Sequence, residues 1–296
     1  MPESTGCSTP PQTYSTPDAA VDSLIGALRT DNTAELKKIL GSDSTEALNS
    51  GDAVDDANRR ADFLRLYDEQ HGLAKSDDGS MTLEVGATRW PMPFPLVEGD
   101  VNGKKGWYFD TDAGLDEMLS RRIGRNELDT IQVCLAIADA EREYASRDFT
   151  GDGWREYARK FRSDPGKRNG LWWPAEPGQP ESPLGELVAY ATDEGYSTSA
   201  KGRQPFHGYY YKILTAQGPA APGGALDFVV QGHMIGGFAV VAWPAEYARS
   251  GLKSFLVSHH GTVYERDLGD DTASIARSMA TFDPTEGWVP VGYLVP

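Results

Sequence analysis

The strongest helical signal in the chain lies in residues 126–145, which read NELDTIQVCLAIADAEREYA. Apolar residues recur there at helical spacing and predict one apolar face along an amphipathic helix. Residues 148–156 follow at once and read DFTGDGWRE, a composition typical of a tight turn. We therefore expect a long helix that ends in an Asp/Gly-rich loop. The predicted apolar face consists of Leu128, Ile131, Leu135 and Ala138.

Downstream of the loop, the period of the apolar residues changes from helical to alternating. Several short runs rich in β-branched and aromatic residues predict an antiparallel sheet. His259-His260-Gly261 separates the last two runs and predicts a hairpin turn. Helices are expected at residues 184–194 and 272–281. The predicted strands are residues 209–215, 225–230, 237–242, 253–258 and 263–267.

Upstream of the long helix, amphipathic helices precede a second group of strands. Thr16 and Pro17 are typical N-cap and first-turn residues and predict the start of the first helix. Further helices are expected at residues 33–40, 55–67 and 115–122, and strands at 81–85, 90–97 and 106–110. Gly124 is expected to form a hinge before the long helix.

The predicted fold class is α+β. Residues 1–16 are expected to be a flexible tail. Residues 17–123 are expected to form a domain of helices and a curled antiparallel sheet, an NTF2-like layout. Residues 124–296 are expected to form a second domain in which the long helix packs on an antiparallel sheet, a pilin-like layout.

The charge balance restricts the classes of partner. The chain has 28 basic and 44 acidic residues, a formal net charge of −16. This charge repels nucleic-acid phosphates and anionic lipid headgroups, so we expect no nucleic-acid partner. No apolar run reaches the about 18 residues that a membrane span needs, so no span is expected.

The Asp/Gly-rich loop resembles the first three-quarters of an EF-hand calcium loop. Oxygen-bearing side chains occupy positions 1, 3, 5 and 9, a glycine occupies position 6, and a backbone carbonyl is available at position 7. Because a hard dication binds six to eight oxygens, this spacing predicts a Ca²⁺ site. The predicted ligands are Asp148, Thr150, Asp152, the Trp154 carbonyl and Glu156.

Two residues leave a second interpretation of the loop open. Thr150 is a neutral ligand at position 3, and Arg159 stands at position 12, where a bidentate Glu is usual. The alternative is a plain Asp/Gly-rich turn that ends the helix and binds no ion.

Catalytic motifs are absent from the sequence: it contains no GxSxG, HExxH or GxxxxGK[ST] pattern, and no GxGxxG follows a strand. The histidines lack the spacing of metal ligands, and we expect turn and surface roles for them. His259 and His260 are expected to point to opposite faces of a strand end. The five histidines are His71, His207, His233, His259 and His260.

Two alternatives to a non-enzymatic function remain open. One is a small-ligand-binding protein or enzyme that uses a cavity in the N-terminal domain; its predicted lining is Trp90, Trp107, Tyr108 and Arg121. The other is carbohydrate recognition, which requires that the rings of Trp172 and Trp173 are both exposed.

Several short stretches together resemble a bacterial family known only as domain of unknown function 2950, over about residues 14–288. The family's members usually begin with a secretion signal, which implies a periplasmic or extracellular location. They typically have an acidic residue where this chain has Thr150. No reaction is established for the family. The matching stretches are 121–127 (RRIGRNE), 140–145 (AEREYA), Asp152-Gly153 with Glu156-Tyr157, 165–168 (PGKR), 182–185 (SPLG), 207–211 (HGYYY), 236–239 (GGFA) and 242–244 (AWP).

The second half is also similar to the globular part of type IV pilins and pseudopilins. The order is the same: a long helix, an Asp/Gly-rich loop followed by Glu-Tyr, and an antiparallel sheet. Pilins need an apolar N-terminal helix to pack the filament shaft, whereas the helix here is internal. The resemblance therefore implies a similar fold and does not imply a pilin-type filament.

The N-terminal sequence Thr5-Gly6-Cys7 precedes a Ser/Thr/Pro-rich stretch and resembles the start of a bacterial lipoprotein. This implies a lipid anchor at Cys7; a tail cysteine without a role is the alternative. The other cysteine, Cys134, lies in an apolar run and is expected to be buried.

These observations together predict a non-enzymatic, extracytoplasmic protein with a structural, assembly or surface-interaction role. Calcium is expected to stabilise it. Exposed sheet edges such as the final hairpin are expected to allow association with other proteins or with further copies.

Overall fold

The computed structural model describes residues 9–44, 53–174, 178, 180–185, 189, 205–285 and 287–292. It confirms the α+β class, because helices and antiparallel sheets are both present. The chain divides into two compact units, residues 1–121 and 122–296. The NTF2-like and pilin-like layouts remain predictions, and Cys7 lies outside the described residues, as does most of the helix expected at residues 184–194.

Local capping signals fix the first two helices. The Thr16 hydroxyl accepts the Ala19 N–H at 3.2 Å, and the Asn32 side chain accepts the Glu35 N–H at 3.1 Å. These bonds satisfy N–H groups that the first helical turn leaves free. A 3₁₀ turn, Ser42–Ser44, follows the second helix. The helices are α1 Pro17–Arg29, α2 Thr33–Leu40, α3 Ala53–Glu69, α4 Thr111–Ala145 and α5 Thr272–Ser278.

Part of the expected flexible tail is fixed to the first unit. The Gln12 N–H donates to the Lys38 carbonyl at 2.9 Å, and Tyr14 exchanges two backbone hydrogen bonds with Trp107. The Tyr14 hydroxyl also donates to Ser23 at 2.9 Å. Flexibility was therefore the wrong expectation for residues 12–14, because this segment pairs with the edge of a sheet.

The first unit packs α1 and α2 against an antiparallel sheet. The strand order is β1-β2-β4-β5, and β3 pairs with β2. Leu24, Ile39, Leu83 and Phe109 belong to its buried core. The sequence predicted β2 correctly and missed β1, whose residues HGLAK include no β-branched side chain. The strands are β1 His71–Lys75, β2 Met81–Val85, β3 Trp90–Pro91, β4 Leu96–Val101 and β5 Lys104–Phe109.

The second unit contains an antiparallel sheet of order β15-β13-β12-β11-β6. Strand β11 is buried at every position. A smaller sheet has the order β14-β7-β8, and β9 pairs with β10 as a short hairpin. The strands are β6 Tyr209–Leu214, β7 Ala216–Gln217, β8 Leu226–Asp227, β9 Val229–Val230, β10 His233–Met234, β11 Ala239–Pro244, β12 Lys253–Ser258, β13 Val263–Asp267, β14 Thr281–Phe282 and β15 Val289–Pro290.

Helix α4 continues through Gly124 without a break, so the prediction of a hinge there was wrong. Helix propensity tolerates one glycine when its neighbours are strong helix formers. Of the predicted apolar face, Ile131 and Ala138 are buried and Leu135 packs against the core, whereas Leu128 is 54% exposed. Glu141 is also fully buried, which a hydrophobic pattern could not detect. Burial raises the pKa of the Cys134 thiol to about 12.

Polar contacts join both ends of the second unit's part of α4 to the ends of β12. The Glu127 carboxylate accepts the N–H groups of Leu252 and Lys253 at 2.8 and 3.0 Å. Near the other end, Arg142 donates to the His259 carbonyl at 3.3 Å. The helix between these contacts is about 22 Å long, and the strand is about 23 Å long. The matched lengths allow the helix and the sheet to share one buried core.

Substitutions at two glycines of α4 test whether the helix is continuous. A Cβ at Gly124 would meet no atom within 4 Å, whereas a Cβ at Gly114 would overlap the Phe94 ring. We expect Gly124→Ala to raise the free energy of unfolding by about 0.5–1 kcal/mol, because alanine loses less backbone entropy in a helix. Gly114→Ala, the matched control, should lower it by about 1–3 kcal/mol through overpacking. Urea unfolding measures both, and a destabilising Gly124→Ala would contradict an unbroken helix.

Candidate functional site

The Asp148 carboxylate shapes the Asp/Gly-rich loop. It accepts the N–H groups of Gly151 at 2.6 Å and Gly153 at 2.8 Å, and the Thr150 hydroxyl at 3.2 Å. The Gly153 N–H, followed by the Gly151 N–H, holds the pKa of Asp148 below its usual value. Both glycines have positive φ, 77° and 91°, which L side chains rarely adopt. Asp148 and Thr150 therefore determine the shape of the loop.

Glu156 joins the end of this loop to the β9–β10 hairpin. Its Oε2 atom accepts the Met234 N–H at 3.0 Å, and the Tyr157 N–H donates to the Met234 carbonyl at 2.8 Å. The Nδ1 atom of His233 lies 3.3 Å from the same Glu156 oxygen. Two segments far apart in sequence thus meet at one carboxylate.

Three side chains converge at this junction: Asp152, Glu156 and His233. One ligand atom from each lies within 4.8 Å of the others, and we name this group the junction cluster. Asp152 is exposed and the other two are half-buried. The indole of Trp154 stacks on the His233 ring, with centroids 4.6 Å apart and planes 19° apart. The cluster offers two carboxylates and one imidazole to a single ion.

The structure brings only some of the predicted ligands together. Asp152 and Glu156 are in the junction cluster, whereas Asp148 and Thr150 bond within the loop. Trp154 contributes a stacking ring, and its backbone N–H donates to the Asp152 carboxylate at 3.0 Å. The sequence had assigned His233 to a turn or surface role, because no motif spacing connects it with the loop.

The loop rests on buried groups of the second unit. The Glu141 carboxylate, fully buried on α4, accepts the Ala158 N–H at 2.8 Å. The Phe149 ring lies 5.2 Å from Tyr144 and 5.1 Å from Trp173. These contacts hold both ends of the loop against α4.

The negative charge near the loop is concentrated. Burial raises the pKa of Tyr144, and the next causes are the charges of Glu156 and Glu141, followed by those of Asp152 and Asp148. Four carboxylates therefore act on one phenol. A bound dication would reduce the repulsion among them.

The predicted cavity residues of the first unit do not line either of two shallow clefts that flank β1. The Arg121 guanidinium lies over Trp90, 5.0 Å from the ring centroid, and donates to the Pro91 carbonyl at 2.9 Å. A function in that cavity remains a prediction.

Carbohydrate recognition was expected only if the rings of Trp172 and Trp173 were both exposed. This requirement is not met, because Trp173 is buried and its indole N–H donates to the Pro180 carbonyl.

His259 and His260 lie in the β12–β13 turn, as predicted, but their rings do not point to opposite faces. The centroids are 4.2 Å apart. The expectation was wrong because alternation applies to a strand and these residues follow its end. Burial, followed by the proximity of His260, lowers the pKa of His259 below 6.5.

This lowered pKa predicts a pH dependence. A histidine with a depressed folded-state pKa contributes its full stability above its unfolded pKa and loses it as pH falls through the folded pKa. We expect the free energy of unfolding of unit 122–296 to decrease as pH falls below 6.5. His259→Gln should reduce this slope, measured by urea unfolding followed by near-UV circular dichroism. The control His207→Asn should retain it; an equal slope in wild type and His259→Gln would refute the assignment.

Comparisons with known proteins place the chain in a family. It belongs to the family described as protein of unknown function DUF2950, whose model matches residues 11–291. No curated protein and no solved structure matches the chain. Among the described residues, no helix is both long and apolar enough to cross a membrane.

Proposed function

We propose that this DUF2950 protein is a non-enzymatic structural or assembly protein of the periplasm or cell exterior, stabilised by a divalent cation at the junction cluster. The observation that carries the proposal is the convergence of Asp152, Glu156 and His233 within 4.8 Å. Because two of these residues belong to the loop and one to β10, an ion there would connect the two segments. The ion has a structural role in this proposal.

The bonds around the cluster support a structural role. Glu156 accepts the Met234 N–H, Glu141 accepts the Ala158 N–H, and Asp148 accepts N–H groups of its own loop. Each carboxylate therefore holds backbone in place. A cation at the junction cluster would add a further link between the loop and the hairpin.

Calcium is the ion that the loop sequence predicts, and the extracytoplasmic location agrees with it. Calcium modules outside the cell work at millimolar-class affinity, which suits a loop without a bidentate Glu at position 12. The secretion signal usual in the family supports the same location. At ten times its dissociation constant, the ion would add about 1.4 kcal/mol of stability.

Exposed apolar side chains beside the cluster support the surface-interaction part of the proposal. Trp154, Val230 and Ile235 are 42%, 44% and 40% exposed, and Val230 pairs directly with His233 across the hairpin. Apolar side chains grouped in this way are typical of protein contacts. The edge of the final hairpin, where association was expected, pairs with β15, so we propose that a second copy of the chain binds at this apolar surface instead.

Cation binding is tested by calorimetric melting of the chelator-treated full chain. Adding calcium, manganese or zinc at ten times the dissociation constant should raise the Tm of the second unit by about 3–6 °C. Asp152→Asn should remove most of the rise, because it removes one charged ligand. The control is Asp270→Asn, an exposed aspartate of the same unit outside the cluster. An unchanged Tm with all three ions would reject the proposal.

Self-association is tested by sedimentation velocity over a range of protein concentrations. Val230→Lys should shift the equilibrium toward monomer, because a charge would have to be buried in the contact. The control is Leu128→Lys, which changes another exposed apolar residue, 54% exposed, on α4. Monomers alone at every concentration, with and without calcium, would reject assembly.

A further inference from the structure

We infer that His233 makes the junction cluster a site for a borderline transition-metal dication, such as Mn²⁺ or Zn²⁺, in preference to Ca²⁺. This inference rests on the proposed cation site and specifies its ion. It departs from the ion that the loop sequence predicts, because the structure adds a nitrogen ligand from a separate segment.

The imidazole of His233 is oriented toward the carboxylates. Its Nδ1 atom is buried, makes no hydrogen bond among the described residues, and forms an ion-pair contact with Glu156 Oε2 at 3.3 Å. The stacked indole of Trp154 fixes the plane of the ring. A ring nitrogen that lies against a carboxylate without an aligned hydrogen bond would be satisfied by a metal ion bound to both groups.

The combination of donors favours a borderline metal. Imidazole binds Zn²⁺ and other transition metals, and carboxylates suit Mn²⁺ and Mg²⁺, so a set of one nitrogen and two oxygens fits Mn²⁺ or Zn²⁺. Calcium instead requires six to eight oxygens. An imidazole therefore occupies a ligand position that calcium uses poorly.

The loop also contributes fewer oxygen ligands to the cluster than the sequence predicted. Asp148 uses both carboxylate oxygens to accept backbone N–H groups, at 2.6 and 2.8 Å. The Thr150 hydroxyl donates to the same carboxylate. Asp152 and Glu156 also accept backbone N–H groups, from Trp154 and Met234, but of the predicted ligands only these two lie in the cluster with His233.

Isothermal titration of the chelator-treated full chain with MnCl₂, ZnCl₂ and CaCl₂ separates the ions. We expect Mn²⁺ and Zn²⁺ to bind at least about tenfold more tightly than Ca²⁺. His233→Gln should weaken Mn²⁺ and Zn²⁺ by at least about tenfold, the lower limit of the effect of losing even an outer-shell partner. Its effect on Ca²⁺ should be smaller than about twofold, because glutamine offers an oxygen in place of the nitrogen.

His207→Asn is the matched control. His207 also faces a carboxylate, with Nδ1 3.0 Å from Asp129 Oδ2, and lies outside the cluster. Its φ of 49° is one that asparagine adopts readily. This variant should bind all three ions like wild type.

Pulsed electron paramagnetic resonance of Mn²⁺-loaded wild-type protein tests the nitrogen ligand without a variant. Coupling to a directly bound imidazole nitrogen is expected. Absence of that coupling, or calcium affinity equal to that of Mn²⁺ and Zn²⁺, would overturn the inference and leave the proposed cation site intact. Binding of none of the three ions would overturn both.

Discussion

The contact between Glu156 and the β9–β10 hairpin determines the shape of the candidate site. One carboxylate oxygen accepts the Met234 N–H and lies 3.3 Å from His233 Nδ1, so it fixes where the loop ends relative to the strand. The exposed Asp152 lies within 4.8 Å of the same imidazole. The chemistry of the cluster therefore depends on a tertiary contact and not on the loop alone.

Helix α4 supplies the support on which that contact rests. Glu127 and Arg142 join the helix to the two ends of β12, and Glu141 holds the backbone just after the loop. A fully buried carboxylate is costly unless it is bonded, so Glu141 favours one position of Ala158 over others. Core packing and polar contacts together thus place the loop against the hairpin.

Local signals in the sequence predicted much of the fold. Helix α2 and strands β12 and β13 were predicted with their observed bounds, because caps, alternation and turn residues act over a few neighbours. The expectation that the long helix follows a hinge at Gly124 was wrong, since a helix tolerates one glycine among helix-forming neighbours. Of the candidate site, Asp152 and Glu156 could be predicted from loop spacing. His233 could not, because its approach to the loop depends on the tertiary fold.

The most direct test is a crystal structure of the Mn²⁺-soaked protein, with data collected at the manganese absorption edge. We predict one anomalous peak, from an ion coordinated by a carboxylate oxygen of Asp152, a carboxylate oxygen of Glu156 and Nδ1 of His233. Each ligand atom should lie about 2.0–2.3 Å from the ion. A cluster without a peak, with His233 hydrogen-bonded to Glu156 and Asp152 turned toward solvent, would contradict it.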